Sequence, residues 1–493
     1  MNAIIDGLSA LFEPIALLCF VIGLGLGLLV GIFPGITISM AVALATSFTL
    51  TLEPAQGLAM LLAIYVSAQY GDRIPSILLN TPGTPAAVAT TLDGYPMAKK
   101  GQAGLALSIS AIATTVGILM SMIVLMFFAQ PIAQFALNFG PFEMFALVSF
   151  GLTVIISIST QSLAKGIFAG LLGITFGMVG LDPITGDPRF VFGTNELTSG
   201  LHFIAIIIGL FGITEVLDQI LTYRRDKTHV ITSLGRWWPT KSEMRQVAKP
   251  MALSGALGAL IGVIPAAGGD IAGLIGWNRA KAISKKPEEF GKGSIEGLVG
   301  SDTASASTLG GALTTTLSLG IPGDSVMAVM IGSMIIWGIQ PGPSLFERRP
   351  DIVVIIIAVM LLATLASTII SLVRTRAMTR LLDLPPQLIW GIIIVFCIVG
   401  TYSTTNNILT VIQMLVFGLL GLLLRRIGVP AGPVVLGFLL GPLAESNLRR
   451  AMLIGPPTEF ITRPISLILL ICTVAGLVWP TIARQLKQHK AAL

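Results

Sequence analysis

A short phrase occurs twice in this sequence, and both times it sets a helix-breaking proline inside an apolar stretch. Gly27-x-x-x-Gly31-x-x-Pro34 returns 231 residues later as Gly258-x-x-x-Gly262-x-x-Pro265. Pro82-Gly83 is echoed by Pro322-Gly323, and Gly170-Leu171-Leu172-Gly173 by Gly418-Leu419-Leu420-Gly421. The echoes keep the same order, which marks a tandem duplication. Proline removes a backbone donor and frees the carbonyl one turn back. At membrane depth such irregular backbone is tolerated only where protein or a wet cavity surrounds it. Interrupted apolar segments at matching places in two halves therefore point to the binding site of a transporter.

The membrane itself follows from composition. Of 493 residues, 54% are hydrophobic and only 11% are charged, against about 25% charged in soluble domains. Runs at 103–128, 201–221, 352–372, 388–400 and 465–479 approach or reach spanning length, about 20 residues. The expected fold is an all-α polytopic membrane protein of two inverted-topology repeats with broken, re-entrant helices, with roughly 10–12 membrane segments. The net charge of +6 does not indicate nucleic acid, because the basic residues sit in short clusters between apolar runs. Cys19, Cys397 and Cys472 lie in apolar runs without metal-ligand spacing, and the three histidines are scattered; no metal or cofactor is expected. The first 72 residues hold no Lys or Arg, so the positive start of a cleavable signal is missing.

Charge sets the orientation. Basic clusters fall at Lys99-Lys100, 224–249, 279–292, Arg374 to Arg380, Arg425-Arg426 and 484–490, and the positive-inside rule puts them in the cytoplasm. The stretch 181–200 carries Asp182, Asp187 and Glu196 against Arg189 alone and is placed outside, with the N-terminus. Apolar runs at 103–128, 142–160, 163–180 and 200–222 return the chain to the cytoplasm at Arg224. Runs at 352–373, 387–404, 408–424 and 430–445 occupy equivalent places in the opposite direction. Segments 15–50 and 251–277 read as hairpins of two half-helices that dip into the membrane. This leaves Arg449, Arg450 and Arg463 outside, with Glu445 and Glu459 near enough to offset them. The expected divisions are a first repeat over 1–222, a cytoplasmic linker over 223–250 with an interfacial Trp237-Trp238 anchor, a second repeat over 251–464, and an extra helix and tail over 465–493.

Two stretches combine apolar flanks with polar and breaker residues. In the first, Asn80, Thr81, Pro82, Gly83 and Thr84 form a compact polar tip. A half-helix beginning near Pro85 would aim its N–H groups and positive dipole end at this tip, as anion sites require. A plain turn at the membrane boundary is the alternative. In the second, Asp302, Ser305 and Thr315 lead to Gly320-Ile321-Pro322-Gly323-Asp324. Hydroxyls at helical spacing often bond back to their own backbone, but that does not explain Asp302 and Asp324. Acids at membrane depth are functional candidates, and Asp324 reads equally as the cap of a helix starting at Ser325. Asp72-Arg73 reads either as a buried pair or as solvated boundary charges, and the role of Asp270 is open. Polar islands at 157–162 and 402–407 read as interhelix turns, with lining of the substrate path as the alternative. No Ser/His, Asp/Asp or His-rich spacing points to an enzyme.

The phrases carry further. Gln69-Tyr70-Gly71 and Leu79-Asn80-Thr81-Pro82-Gly83 run into Leu92-Asp93-Gly94-Tyr95-Pro96-Met97-Ala98-Lys99-Lys100-Gly101. Phe290-Gly291-Lys292-Gly293-Ser294-Ile295-Glu296-Gly297 leads to Leu319-Gly320-Ile321-Pro322-Gly323 and Gly338-Ile339-Gln340-Pro341-Gly342-Pro343. Together these closely resemble the large membrane subunit of the bacterial tripartite tricarboxylate transporters, the TctA family, over nearly the whole chain. The resemblance implies a multi-pass carrier of the inner membrane. It implies a small membrane subunit and a periplasmic solute-binding protein as partners, and cation-driven uptake of organic carboxylates such as citrate. Where members usually have small residues after Gly71, this chain has Asp72-Arg73. Where they often carry a Glu and an Asn-Asn pair, it has Asp302, Ser305 and Ala306. Asp324 stands where a small neutral residue is common.

The reading that results is a secondary active transporter subunit coupled to Na⁺ or H⁺; a passive channel is the alternative. The expected substrate ligands are Pro34, Gly35, Asn80, Thr81, Pro82, Gly83, Thr84, Ser305, Thr315, Gly320, Pro322 and Gly323. Asp302 or Asp324 is expected to hold the coupling cation.

Overall fold

A computed structural model of the chain describes all residues except 1, 34–35, 159–161, 183–184, 195, 223–233, 266–267, 380–384 and 477–493. It is almost wholly helical. The first half contains α1 (Asn2–Leu11), α2 (Pro14–Ile32), α3 (Ile38–Thr49), α4 (Pro54–Gly71) and α5 (Arg73–Leu79). After a 3-10 turn at Pro85–Ala87 come α6 (Val88–Met97), α7 (Ala103–Ala136), α8 (Pro141–Ile158) and α9 (Leu163–Gly177). A small hairpin of β1 (Gly180–Leu181) and β2 (Pro188–Arg189) precedes α10 (Phe203–Ile207), a π-helical stretch Ile208–Ile213, and α11 (Thr214–Thr222). The second half contains α12 (Lys241–Val263), α13 (Gly269–Ile283), α14 (Ile295–Leu319), α15 (Ser325–Ile336), α16 (Leu345–Arg348) and α17 (Pro350–Met378). It continues with α18 (Pro386–Thr405), α19 (Ile408–Arg426), α20 (Ala431–Ile454) and α21 (Glu459–Thr462). Among the described residues, 8 helices are long and apolar enough to cross a membrane. Shorter apolar helices, α3 and α15 among them, pack between them.

The helix starts are written in the sequence. Pro14 and Pro54 occupy the first helical position, where the missing N–H costs nothing. Glu53 with Gln56, and Thr240 with Glu243, form capping boxes at the starts of α4 and α12. α12 thus begins inside the stretch expected to be linker.

Matching glycines make matching contacts. Gly27 and Gly31 lay α2 directly on the backbone of α4 at Ile64 and Ala68, and a Cβ at Gly27 would also strike the Ser67 hydroxyl. Gly258 and Gly262 lay α12 on α14 at Ala304 and Thr308, and a Cβ at Gly258 would strike the Ser307 hydroxyl. Gly71 returns the contact to Gly31, and Gly311 returns it to Gly262. The repeated phrase therefore encodes close helix packing, as small residues do between membrane helices. α12, which carries the second copy, ends at Val263, two residues before Pro265.

One feature departs from expectation. Segments 15–50 and 251–277 are not pairs of half-helices. α2 has 19 residues and α12 has 23. At about 1.5 Å per residue, each is long enough for a hydrocarbon core of about 30 Å. Only the arms after the break, α3 and α13, are short. α2 is apolar throughout, whereas α12 reaches its length by adding the polar turns 241–250 ahead of its apolar part.

The halves interlock through the third echo. Gly170 and Gly173 of α9 meet Val434 and Gly437 of α20. Gly418 and Gly421 of α19 meet Ile213 and Thr214, with Gly209 close behind. Of the three arginines that the charge reading leaves outside, two are paired: Arg449 with Glu445 at 2.6 Å and Asp182 at 3.0 Å, and Arg463 with Glu459 at 2.7 Å.

Candidate functional site

The two Pro-Gly tips have the same backbone design. α5 ends in left-handed Asn80 (φ 56°), and α14 ends in left-handed Gly320 (φ 71°). Asn and Gly are the residues that tolerate this C-terminal turn. The chain then runs through Thr81-Pro82-Gly83 or Ile321-Pro322-Gly323 to an extended residue, Thr84 or Asp324, that opens the next helix. A Cβ at Gly83 would meet the backbone of Gly31 at 2.6 Å and of Asp72 at 3.0 Å, and one at Gly323 would strike Ala312. Each tip is thus wedged against its own half.

Between the tips lies a chamber of about 340 Å³. Among the described residues, five helix starts face it: Thr37 of α3, Thr84-Pro85 ahead of α6, Gly268-Gly269 of α13, Asp324-Ser325 of α15, and Pro430 to Pro433 of α20. Each start presents N–H groups without intrahelical partners and the positive end of a helix dipole. Tyr65 and Gln69 of α4 form a wall, with Phe211, Pro430 and Leu436 on the apolar side. The Tyr65 hydroxyl donates to Asp324, whose other oxygen accepts from the Met327 N–H at 2.8 Å. Ser39 and Ser325 bridge the halves at 2.7 Å, and Thr46 and Ser333 at 2.9 Å. Gln69 is buried, and its side-chain oxygen has no hydrogen-bond partner among the described residues. Among the described residues, the chamber is lined by Asp270 and Asp324 and by no Lys or Arg.

Behind the first tip, charges are sealed in protein. Asp72 and Asp302 are fully buried and Arg73 is 2% exposed. The Arg73 Nε lies 3.5 Å from Asp72 and 3.6 Å from Asp302. Thr84 donates to Asp72 at 2.6 Å, while Thr90 and Ser110 donate to Asp302. The guanidinium also reaches Thr90 at 3.2 Å and Ser305 at 3.4 Å. Of the two sequence readings, Asp72-Arg73 is the buried pair. Two carboxyl groups thus share one guanidinium.

The two long sequence blocks meet at Asp93. Its Oδ1 accepts from the N–H groups of Gly291, Gly293 and Ser294 at 2.8–2.9 Å, and its Oδ2 from the Trp277 indole at 2.7 Å. Gly291 (φ 78°) and Gly293 (φ 100°) supply the positive-φ turns that aim these amides. The carboxylate thereby ties α6 to the start of α14, across the halves, next to a helix N-terminus that favours it.

Of the expected site residues, Thr84 and Asp324 line the chamber together. Ser305 stands behind it, donating to the Ala86 carbonyl at 3.3 Å. Asn80, Thr81, Pro82, Gly83, Gly320, Pro322 and Gly323 shape the tips without lining it. Thr315 bonds back to Ala312 at 3.1 Å within α14. Asp302 faces Arg73 rather than the chamber. Pro34 and Gly35 lie outside the described residues, as do 159–161 of the first polar island and 477–493 of the tail. Sequence reasoning passed over Thr37, Tyr65 and Phe211. The repeat spacing offered a signal for Thr37, because adding 231 leads to Gly268, the start of α13.

Comparison with known proteins agrees with this architecture. Residues 17–436 match the model of the tripartite tricarboxylate transporter TctA family. An Agrobacterium vitis protein described as an uncharacterized 52.8 kDa protein in the TAR-I ttuC' 3'region is 37% identical over 97% of this chain and 96% of its own length. A second from the same organism, described as in the TAR-II ttuC' 3'region, is 38% identical over 45% of this chain and 93% of its own length. No solved structure matches significantly. The chain belongs to the TctA family and is a multi-pass membrane subunit of a tripartite tricarboxylate transporter.

Proposed function

We propose that this subunit is a secondary carrier for a small carboxylate-bearing solute, coupled to Na⁺ or H⁺, and that the chamber between the tips is its binding site. One observation carries the reading. Five helix starts converge on one chamber; the two from the first half bear no acid, while two of the three from the second half, those of α13 and α15, bear Asp270 and Asp324. The Thr37 and Thr84 starts, with Ser39 and Gln69, suit a carboxylate. Asp324 and Asp270 suit a cation. An anion entering beside two carboxylates, with no lysine or arginine among the described lining residues to receive it, needs a cation in company.

Coupling also answers the electrical demand. Moving one charge against the membrane potential costs about 2.3 kcal/mol per 100 mV, so a polyanion accumulates in a negative-inside cell only with cations. In this reading the halves run in opposite directions across the bacterial inner membrane, and the tips meet near its midplane. A periplasmic binding protein delivers the solute, and a small membrane subunit completes the complex.

Uptake of citrate into vesicles holding the reconstituted complex tests the reading. Accumulation should saturate and should collapse with the Na⁺ or proton gradient, and Asp324→Asn should abolish the gradient dependence. Uptake indifferent to both gradients would leave the passive channel instead.

A further inference from the structure

A second chamber of about 220 Å³ adjoins the first. The two share three wall residues, Thr37, Phe211 and Pro430. The far end of the second holds Thr214, Glu215 and Arg425. Arg425 pairs with Glu215 and with Asp218 at 3.1 Å, and Arg426 with Asp218 at 3.5 Å. The two guanidiniums are thus each held by a carboxylate, and Lys165 donates to the Ile427 carbonyl beside them, so the far end of the second chamber is polar.

Phe211 sits in the π-helical stretch Ile208–Ile213 that interrupts an otherwise α-helical span. Such bulges widen one turn and occur often at functional sites. The Thr214 hydroxyl holds this one open, donating to the Gly209 carbonyl at 3.1 Å and across to Gly418 at 2.9 Å. Gly209 presses the stretch onto Met414 and Gly418 of α19. Phe211 is half-buried between buried Leu210 and Gly212, so its ring alone of the three stands at the boundary of the chambers.

We propose that the second chamber continues the substrate path, and that Phe211, with Thr37 and Pro430, is the partition between the binding chamber and the side of the membrane that Arg425 and Arg426 face. The proposal rests on the binding chamber described above and adds its exit.

The test needs no transport assay. Gly432 lines the first chamber, and a Cβ there meets nothing within 4 Å. Gly432→Cys is made in the full chain with Cys19, Cys397 and Cys472 replaced by alanine, and is labelled in oriented vesicles with a membrane-impermeant maleimide from the Arg425 side. Phe211→Ala should speed labelling about tenfold, and Phe211→Trp should slow it by a similar factor, as a gating side chain would. Should Phe211→Ala not assemble, Phe211→Leu makes the smaller opening and should speed labelling less. Labelling rates that ignore the size of residue 211 would overturn the partition. Protection of Gly432→Cys by citrate reports on the binding chamber separately. Protection without an effect of residue 211 would overturn the exit and leave the chamber standing.

Discussion

The two tips are built to one backbone plan and differ in chemistry. Each has a left-handed helix end, a Pro-Gly wedge, and an extended residue that opens the next helix. A shift of 240 residues carries Asn80 to Gly320, Gly83 to Gly323 and Thr84 to Asp324. The same shift carries Asp72 to Ala312 and Arg73 to Leu313. In the first half, Asp72 turns the Thr84 hydroxyl inward, and Arg73 with Asp302 closes a buried cluster behind the tip. In the second half, Ala312 accepts no such bond, and Asp324 keeps its carboxylate on the chamber, held by Tyr65 and its own helix. The two tips thus share one geometry, and one carries an internal charge network where the other carries a carboxylate on the chamber.

The largest effect expected from breaking this comparison is at Arg73. Arg73→Ala leaves two buried carboxylates without their cation, a loss of about 3–5 kcal/mol, read as a fall in the thermal transition of the detergent-purified protein. Asp72→Ala with Arg73→Leu gives the first tip the residues of the second, and should regain part of that loss. A double variant no more stable than Arg73→Ala would show that the cluster is not a unit.

The reverse exchange sharpens function rather than stability. Asp324→Thr gives the second tip the residue of the first and keeps a hydroxyl for the helix cap. Stability should fall by about 1 kcal/mol or less, while gradient-driven uptake falls at least about tenfold, the effect of losing one charged contact. Retained uptake would remove Asp324 from coupling.

The glycine wedges test the shared plan. Gly83→Ala and Gly323→Ala both force a methyl into backbone, and each should cost about 1–3 kcal/mol. The smallest effects are at the helix ends. Asn80→Ala and Gly320→Ala should each cost about 1–2 kcal/mol through strain at positive φ, whereas Asn80→Gly should be nearly neutral. A large loss at one tip and none at its counterpart would contradict the common design.

Much of this was legible in the residues. Apolar run lengths announced the membrane, and prolines marked the breaks after α2 and α12. The Pro-Gly echoes located both tips, and Thr84 and Asp324 followed from their place before a helix start. What was not legible depends on contacts across long stretches of chain. Tyr65 sits in an apolar run, and nothing local says that its hydroxyl meets Asp324. Asp93 lies inside a conspicuous phrase, yet its role appears only when the glycine turns at 291 and 293 bring their amides to it. Asp302 was misleading for a physical reason. A buried acid signals a site, but the cation that answers it here is Arg73, a residue of the other half. The full length of α2 and α12 was missed because the break drew attention from the uninterrupted helix before it.

The most direct measurement is an experimental structure of the purified complex at saturating citrate and Na⁺. The account predicts solute density in the chamber, its carboxylate against the Thr37 and Thr84 helix starts, with Asp324 on the opposite wall. Solute bound elsewhere, with the chamber between Thr84 and Asp324 empty at saturation, would contradict it.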